Sequence, residues 1–249
     1  MMIWQTAKAD DIGGRGDQQD RVDILEAPDA SQVMLIVADG MGGHAGGEMA
    51  AQAAIDVARD MWRRHLDDPI GPDGFLGSIV ASAHETINEV GKKHGLAPRS
   101  TIVLLHITTD LARWAHVGDS RLYHFRGKES LARTRDHSVV QMLVDMGKVA
   151  EDEMGEHPDQ NRLTQSLGGD QEPIADFGEI ELAAGDGFVL CSDGLWESAS
   201  EDEMAQTANA SALAQATLDL TRLAAERGGE EGDNVAIAIA RIENGTDRG

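Results

Sequence analysis

Apolar positions along this chain follow two rhythms, a two-residue strand period and a helical one, and the changes between them mark its elements. Ile3 to Ala9 and Arg21 to Leu25 read as strands on either side of a polar, glycine-rich turn over Asp10 to Asp20. Pro28 and Asp29 signal another turn. Val33 to Ala38 is then an unbroken apolar run, suited to a buried strand and too short for a helix. That run delivers Asp39 into the glycine-rich stretch Gly40-Met41-Gly42-Gly43. A helical pattern starts at about Gly47 and carries Met49, Ala53, Val57, Met61 and Trp62 on to Leu66. A second, about Asp73 to His94, places Phe75, Ile79, Ala83, Ile87 and Val90 on one face.

Thr101 to Thr109 and Leu111 to Val117 read as a hairpin around Asp110, and Leu122 to Arg126 continues the sheet. A helical period returns from Asp136 to Met146, and Val149 to Gly169 is a long irregular excursion. Ile174 to Leu182, Gly187 to Ser192 and Asn234 to Ile242 read as strands. Glu201 to Ala208 and Ala212 to Arg227 read as helices, and Glu243 to Gly249 as a frayed tail. Strands come in hairpin-like runs and helices in pairs, without regular strand–helix alternation, which favours an α+β fold with packed antiparallel sheets. With 249 residues and no repeat, low-complexity tract or linker, one large domain is expected.

Apolar content of 41% and charged content of 26% suit a globular chain. The charge balance is strongly acidic, 21 basic against 44 acidic residues, a net −23. Nucleic acid and anionic membrane are thereby disfavoured as partners. The excess is either a solvated acidic surface or, in part, a carboxylate cluster neutralised by divalent cations. Cys191 is the only cysteine, which excludes an intramolecular disulfide and a cysteine-based zinc site. The N-terminus lacks the basic-then-apolar signature of a signal peptide, and no apolar stretch approaches the roughly 20 residues that span a bilayer. A soluble, cytoplasmic protein is expected.

Asp39, Asp119 and Asp193 each follow an apolar strand, Asp233 precedes one, and Asp20 stands just before Arg21 to Leu25. One Asp-Gly at a strand end is ordinarily a turn. Several apolar strands meeting acids at their ends are harder to explain so, because unpaired carboxylates near a core are costly. A shared divalent cation would compensate, and aspartate, backbone carbonyl and water are hard oxygen ligands suited to Mg²⁺ or Mn²⁺. Arg15, in a glycine-rich turn five residues before Asp20, either grips a phosphate with its planar fork or pairs with Asp17 or Asp20 at the surface. An anion grip beside metal-ligating acids points to phosphoester hydrolysis.

In chain order the motifs are Gly14-Arg15…Gln19-Asp20, Asp39 to His44 continuing through Gly46-Gly47-Glu48, and Val117-Gly118-Asp119-Ser120-Arg121-Leu122-Tyr123. Asp136-His137-Ser138, His157-Pro158…Asn161…Leu163-Thr164, Ser192-Asp193-Gly194-Leu195-Trp196 and Gly232-Asp233-Asn234-Val235 follow. As an ordered set over about Asp10 to Ile239 they resemble the metal-dependent protein phosphatases of the protein phosphatase 2C type, especially the compact bacterial serine/threonine phosphatases. The resemblance implies a central sandwich of two antiparallel β-sheets flanked by pairs of α-helices. It implies a single catalytic domain over residues 1–243, with an irregular flap at about 138–165 and a disordered tail at 244–249. By the same resemblance Asp39, Asp193 and Asp233, with the Gly40 carbonyl, hold two Mn²⁺ or Mg²⁺ ions. Asp20 orients their waters, Arg15 binds the phosphoryl group, and Asp119 serves a third, weaker metal. The implied reaction is hydrolysis of phosphoserine or phosphothreonine by a metal-bridging hydroxide, without a phospho-enzyme. The implied partners are phosphorylated proteins, substrates of a bacterial serine/threonine kinase, met by a monomer.

Three positions depart from the family pattern. Gln19 stands where Glu is usual, the first motif is one residue shorter before Arg15, so that Asp10 and Asp11 compete for one match, and Met41 replaces the histidine of eukaryotic members. His44 is left as the candidate general acid, against a structural role in the turn or a metal-bound water in its place. A phosphoprotein-binding pseudo-phosphatase and a metal-dependent hydrolase of small phosphate esters stay open as alternatives.

Overall fold

The computed structural model describes residues 2–244, apart from the side chains of Met2, His44, Ala45, Pro72, Asp73, Glu156 and Asn244. In chain order it comprises β1 (Met2–Asp11), β2 (Asp20–Glu26), β3 (Val33–Met41), α1 (His44–Asp67), α2 (Pro72–His94), β4 (Arg99–Ser100), β5 (Ile102–Ile107), β6 (Leu111–Val117) and β7 (Arg121–Arg126). These are followed by β8 (Glu129–Arg133), α3 (Val139–Asp145), β9 (Asp176–Glu181), β10 (Asp186–Cys191), α4 (Asp193–Trp196), α5 (Glu201–Ala208), α6 (Leu213–Gly228) and β11 (Val235–Asn244). One antiparallel sheet has the order β1-β11-β10-β7-β8, and the other β2-β3-β5-β6-β9 with β4 beside the end of β3. The α+β sandwich expected from the sequence is the observed architecture.

Side-chain alternation explains the layers. In β3, Val33, Leu35 and Val37 pack between the sheets, while Met34, Ile36 and Ala38 pack toward α1 and α2. In β11, Ala236, Ala238 and Ala240 face the partner sheet, and Val235, Ile237 and Ile239 face α5 and α6. Strands buried on both faces read as continuous apolar runs, as Val33 to Ala38 does. The helices close the outer faces: Ala53, Trp62, Phe75, Ile79 and Ile87 from α1 and α2 cover one sheet, and Met204, Leu213 and Leu220 from α5 and α6 cover the other. Helix ends follow local chemistry. Ser200 and Glu203 form a capping box at the start of α5, and Gly95 takes the left-handed conformation that ends α2.

Several boundaries move from their sequence expectations. The β3 strand runs on through Asp39, Gly40 and Met41, because Asp39 pairs with Asp20 and the next two residues pair with Ser100 and Arg99. Asp39 therefore lies within a strand, and Asp20 opens β2 where a turn was expected. β7 does not continue the sheet of β6; the chain crosses to the other sheet through Gly118–Ser120. The short edge strand β8 and the single turn α4 are additional elements, and α3 begins only at Val139, where Ser138 caps it. β11 extends to Asn244 against Met2 and Ile3, so Glu243 and Asn244 of the expected tail are strand residues, and the rest of it, 245–249, lies outside the described residues.

One buried cluster carries a pH signature. His106 lies edge-on to the rings of Trp62, His65 and Phe75, bonded to Gln32 Oε1 at 2.8 Å, and burial pushes its pKa down to about 4. Between pH 6.5 and 4 the unfolded chain takes up a proton that the folded one refuses, so stability falls as pH falls through that window. The share from His106 is about 3 kcal/mol. Urea unfolding of His106→Phe is expected to flatten this stretch of the pH profile, with a smaller slope of the same sign left by the buried His65. An unchanged slope would show that His106 does not carry it.

Candidate active site

The inward-facing rows of both sheets end in polar residues at one end of the sandwich. Asp20 shares its face of β2 with Val22 and Ile24, and Asp39 follows Val33, Leu35 and Val37 on β3. Thr101 precedes β5, Ser120 precedes β7 and Ser192 follows Phe188 and Leu190 of β10. All five project into the layer between the sheets and bond one another. Ser192 Oγ donates to Asp20 Oδ2 at 2.6 Å, the Asp39 amide donates to Thr101 Oγ1 at 3.0 Å, and Thr101 Oγ1 meets Ser120 Oγ at 2.7 Å. The loops at this end supply the rest: Arg15 before β2, Asp119 between β6 and β7, Asp193 at the head of α4, and Asp233 before β11.

Together they frame a cavity of about 370 Å³ lined by Arg15, Gln19, Asp39, Gly40, Met41, Asp119, Asn161, Leu163, Asp193, Asp233 and Asn234 among others. The structure thus assembles six residues singled out from the sequence: Arg15, Asp39, Gly40, Asp119, Asp193 and Asp233. Asp20 stands behind Asp39, nearly inaccessible, rather than in the cavity wall. The His44 side chain lies outside the described residues. Arg15 Nη2 donates to Asp233 Oδ2 at 2.6 Å from a half-exposed position, a partner at the cavity mouth that was not among those weighed for it.

The electrostatics are those of crowded, dehydrated acids. Burial, then the charges of Asp20, Asp193, Asp119 and Asp233, raise the Asp39 pKa well above the carboxylate range. Burial, with Asp193 next, does the same to Asp119, whose Oδ1 is buried with no hydrogen-bond partner. Asp193 is pushed up to about 7 by burial and Asp233, and Asp20 to about 8 by burial, with the Ser192 bond opposing. Carboxylates held this way cannot all be ionised at neutral pH without added positive charge. An all-oxygen donor set of this kind, with an orphaned acceptor on Asp119, fits hard divalent cations.

Backbone packing permits the arrangement. A Cβ on Gly40 would lie 2.0 Å from the Gly47 carbonyl oxygen, and one on Gly47 would lie 2.0 Å from Gln19 Oε1. The two glycines let β3, the first turn of α1 and Gln19 meet at the floor of the site. Gln19 keeps its place through its backbone N–H, which donates to Asn234 Oδ1 at 2.7 Å. Of the two aspartates competing for the first motif, Asp11 takes a local role, accepting from the Gly13 amide at 2.9 Å.

Five residues not assigned a role from sequence shape the site. Asn234 Nδ2 ties Ile12 O and Asp17 O to the Asp233 loop at 2.8 and 3.1 Å. Trp196 Nε1 holds the Asp119 carbonyl at 3.0 Å, and the Arg121 guanidinium lies 3.6 Å over the Trp196 ring while forking onto buried Asp136 at 2.8 and 2.6 Å. Glu197, also raised to about 8, first by burial and then by Asp193 and Asp233, adds another acid behind the cavity. Ser192 has a buried structural bond rather than a nucleophile's setting, and burial raises the Cys191 thiol far from reactivity. Elsewhere His116, His137 and Asp176 bring ligand atoms within 4.8 Å of one another. There His116 Nε2 meets the Arg135 carbonyl at 2.8 Å, and the Gly118 amide donates to His137 Nδ1 at 3.3 Å. The second bond leaves the proton of His137 on Nε2, facing Asp176 at 3.4 Å, which suits a polar contact better than a cation.

A two-sheet sandwich whose loop end gathers buried carboxylates around a cavity, with an arginine at its mouth, is the architecture of a metal-dependent phosphoester hydrolase. The model of the family described as protein phosphatase 2C matches residues 16–228. The chain belongs to the protein phosphatase 2C family and is a hydrolase of that class. It is 33% identical over 216 residues to protein phosphatase PhpP of Streptococcus pneumoniae, covering 86% of this chain and 87% of that one. The serine/threonine phosphatase PstP of Mycobacterium tuberculosis superposes with a TM-score of 0.84 at 30% identity, over 97% of this chain and 100% of that one. A PstP catalytic domain in complex with two manganese ions superposes with a TM-score of 0.80 at 29% identity, over 98% of this chain and all of that one. Among the described residues no helix is long and apolar enough to cross a membrane.

Proposed function

We propose that this chain removes phosphate from phosphoserine and phosphothreonine in proteins, and that residues 1–243 act as one catalytic domain for that purpose. The observation that carries this reading is the convergence of Asp39, Asp193 and Asp233 with Arg15 around a single cavity. The three carboxylates, with the Gly40 carbonyl, would hold two divalent cations, Mn²⁺ or Mg²⁺, and Asp119 a third. Such a pair of cations supplies a water of lowered pKa and neutralises charge on the phosphoryl oxygens. The remaining work falls to this chain's own groups. Arg15, anchored by Asp233 and half exposed, offers its remaining N–H groups to a phosphoryl oxygen. Asp20, fixed by Ser192, keeps a carboxyl behind Asp39 that accepts or returns a proton through ordered water. Asn234 and Trp196 hold the Asp233 and Asp119 loops in register, and Asn161 and Leu163 of the flap region close one wall. His44 stands as general acid in this reading.

Phosphorylated proteins of a bacterial serine/threonine kinase are the proposed substrates, met in the cytoplasm by a monomer. The test is incubation with a phosphothreonine peptide and Mn²⁺. Free inorganic phosphate is expected, with no phosphate retained on the protein at any time after mixing. A protein-bound phosphate that accumulates and decays would overturn direct attack by water.

A further inference from the structure

A second groove, about 480 Å³, adjoins the catalytic cavity and shares Met41, Asn161 and Leu163 with it. On its wall stands Arg99, paired across β3–β4 with Met41. Arg99 is exposed, and among the described residues it forms no ion pair; its one side-chain bond is a 3.4 Å contact from Nη1 to Ser166 Oγ. Its guanidinium lies close beside Gly169, where a Cβ would come within 3.1 Å of Nη2 and Cζ. The guanidinium thus stands against Gly169 and Ser166, and most of its donors have no partner among the described residues. In a chain of net charge −23, such a cation beside an acidic cleft is a local reversal of sign. Asp170, on the same groove wall, makes no ion pair with it among the described residues.

We propose that this groove receives the polypeptide flanking the phosphorylated residue, and that Arg99 takes an oxyanion, a carboxylate or a second phosphate, carried by that flank. The inference rests on the phosphoprotein reading above and names a substrate class within it. Arg99 stands opposite a residue two positions past Asp39, roughly 7 Å along the strand, so the anion should sit two or three residues from the phosphothreonine. A planar fork accepts either oxyanion in a bidentate manner.

Initial rates would be compared, with Mn²⁺ present, for p-nitrophenyl phosphate and four peptides. One is a neutral phosphothreonine peptide, two carry Glu two or three residues to either side, and one carries a second phosphothreonine there. For the native protein kcat/KM is expected to be about 10-fold higher for at least one anionic peptide than for the neutral one, mainly through KM. The larger effect among the Glu and phosphothreonine arms identifies the source of the oxyanion. Arg99→Ala should erase the preference and leave p-nitrophenyl phosphate turnover unchanged, and Arg99→Glu should invert it. Equal rates on all peptides alongside robust turnover of the small ester would overturn the subsite alone. No turnover of any substrate would overturn the phosphatase reading and the subsite with it.

Discussion

Asp193→Asn is expected to lower metal-supported phosphate release on the order of 10³-fold, while the metal-free protein stays folded and gains stability. The two effects share one cause. Asp193 is pushed up to about 7 by burial and by Asp233. From the ordinary carboxylate pKa up to 7 the folded protein retains a proton that the unfolded chain releases, so folding is penalised increasingly as pH rises, and in full above pH 7. That span is worth up to about 4 kcal/mol, which partial exposure of the side chain reduces to about 1–2 kcal/mol. Asparagine removes the charge, the penalty and the cation ligand together. Urea unfolding at pH 7.5 in chelator, beside rate measurements in Mn²⁺, reads both. A variant with native turnover would remove Asp193 from the metal centre. One with lost turnover and lost stability would point to collapse of the loop instead.

The second large effect lies one layer back. Arg121 and Asp136 are both buried, and each completes the other's charge. Arg121→Met should cost about 3–5 kcal/mol, because the buried Asp136 loses its bidentate partner and keeps only Arg133 Nη1 at 3.8 Å. Activity should fall as well, since the guanidinium over Trp196 steadies the indole that holds the Asp119 carbonyl. The double variant Arg121→Met/Asp136→Leu should recover most of the stability. A single-variant loss below about 1 kcal/mol, or a double variant no better than the single, would show that the pair is not what holds this corner.

Much of this centre is legible in the residues themselves. A two-residue period decides which side chains of Val33 to Ala38 face the partner sheet, and the same parity carried forward puts Asp39 on that face. Asp-Gly after an apolar run is equally local. What local pattern does not carry is the pairing of distant segments. Ser192 and Asp20 are 172 residues apart, and only the packing of the two sheets on each other makes a serine beside an aspartate a buried bond rather than a nucleophile. The crossing at Gly118 is likewise a matter of sheet choice, since Leu111 to Val117 and Arg121 to Arg126 have the same apolar pattern. β8 is a largely exposed edge stretch whose one strand partner among the described residues is β7, so no periodicity marks it. Arg121 stands inside a recognisable motif, but its role follows from Asp136 and Trp196 arriving from two other elements.

The most direct measurement is phosphate release from a phosphothreonine peptide while chelator-treated protein is titrated with Mn²⁺. Carboxylates that need divalent cations to ionise together predict negligible release at zero metal and a saturable rise as Mn²⁺ is added. Release in chelator at the rate seen with saturating Mn²⁺ would contradict a metal-dependent centre built on Asp39, Asp193 and Asp233.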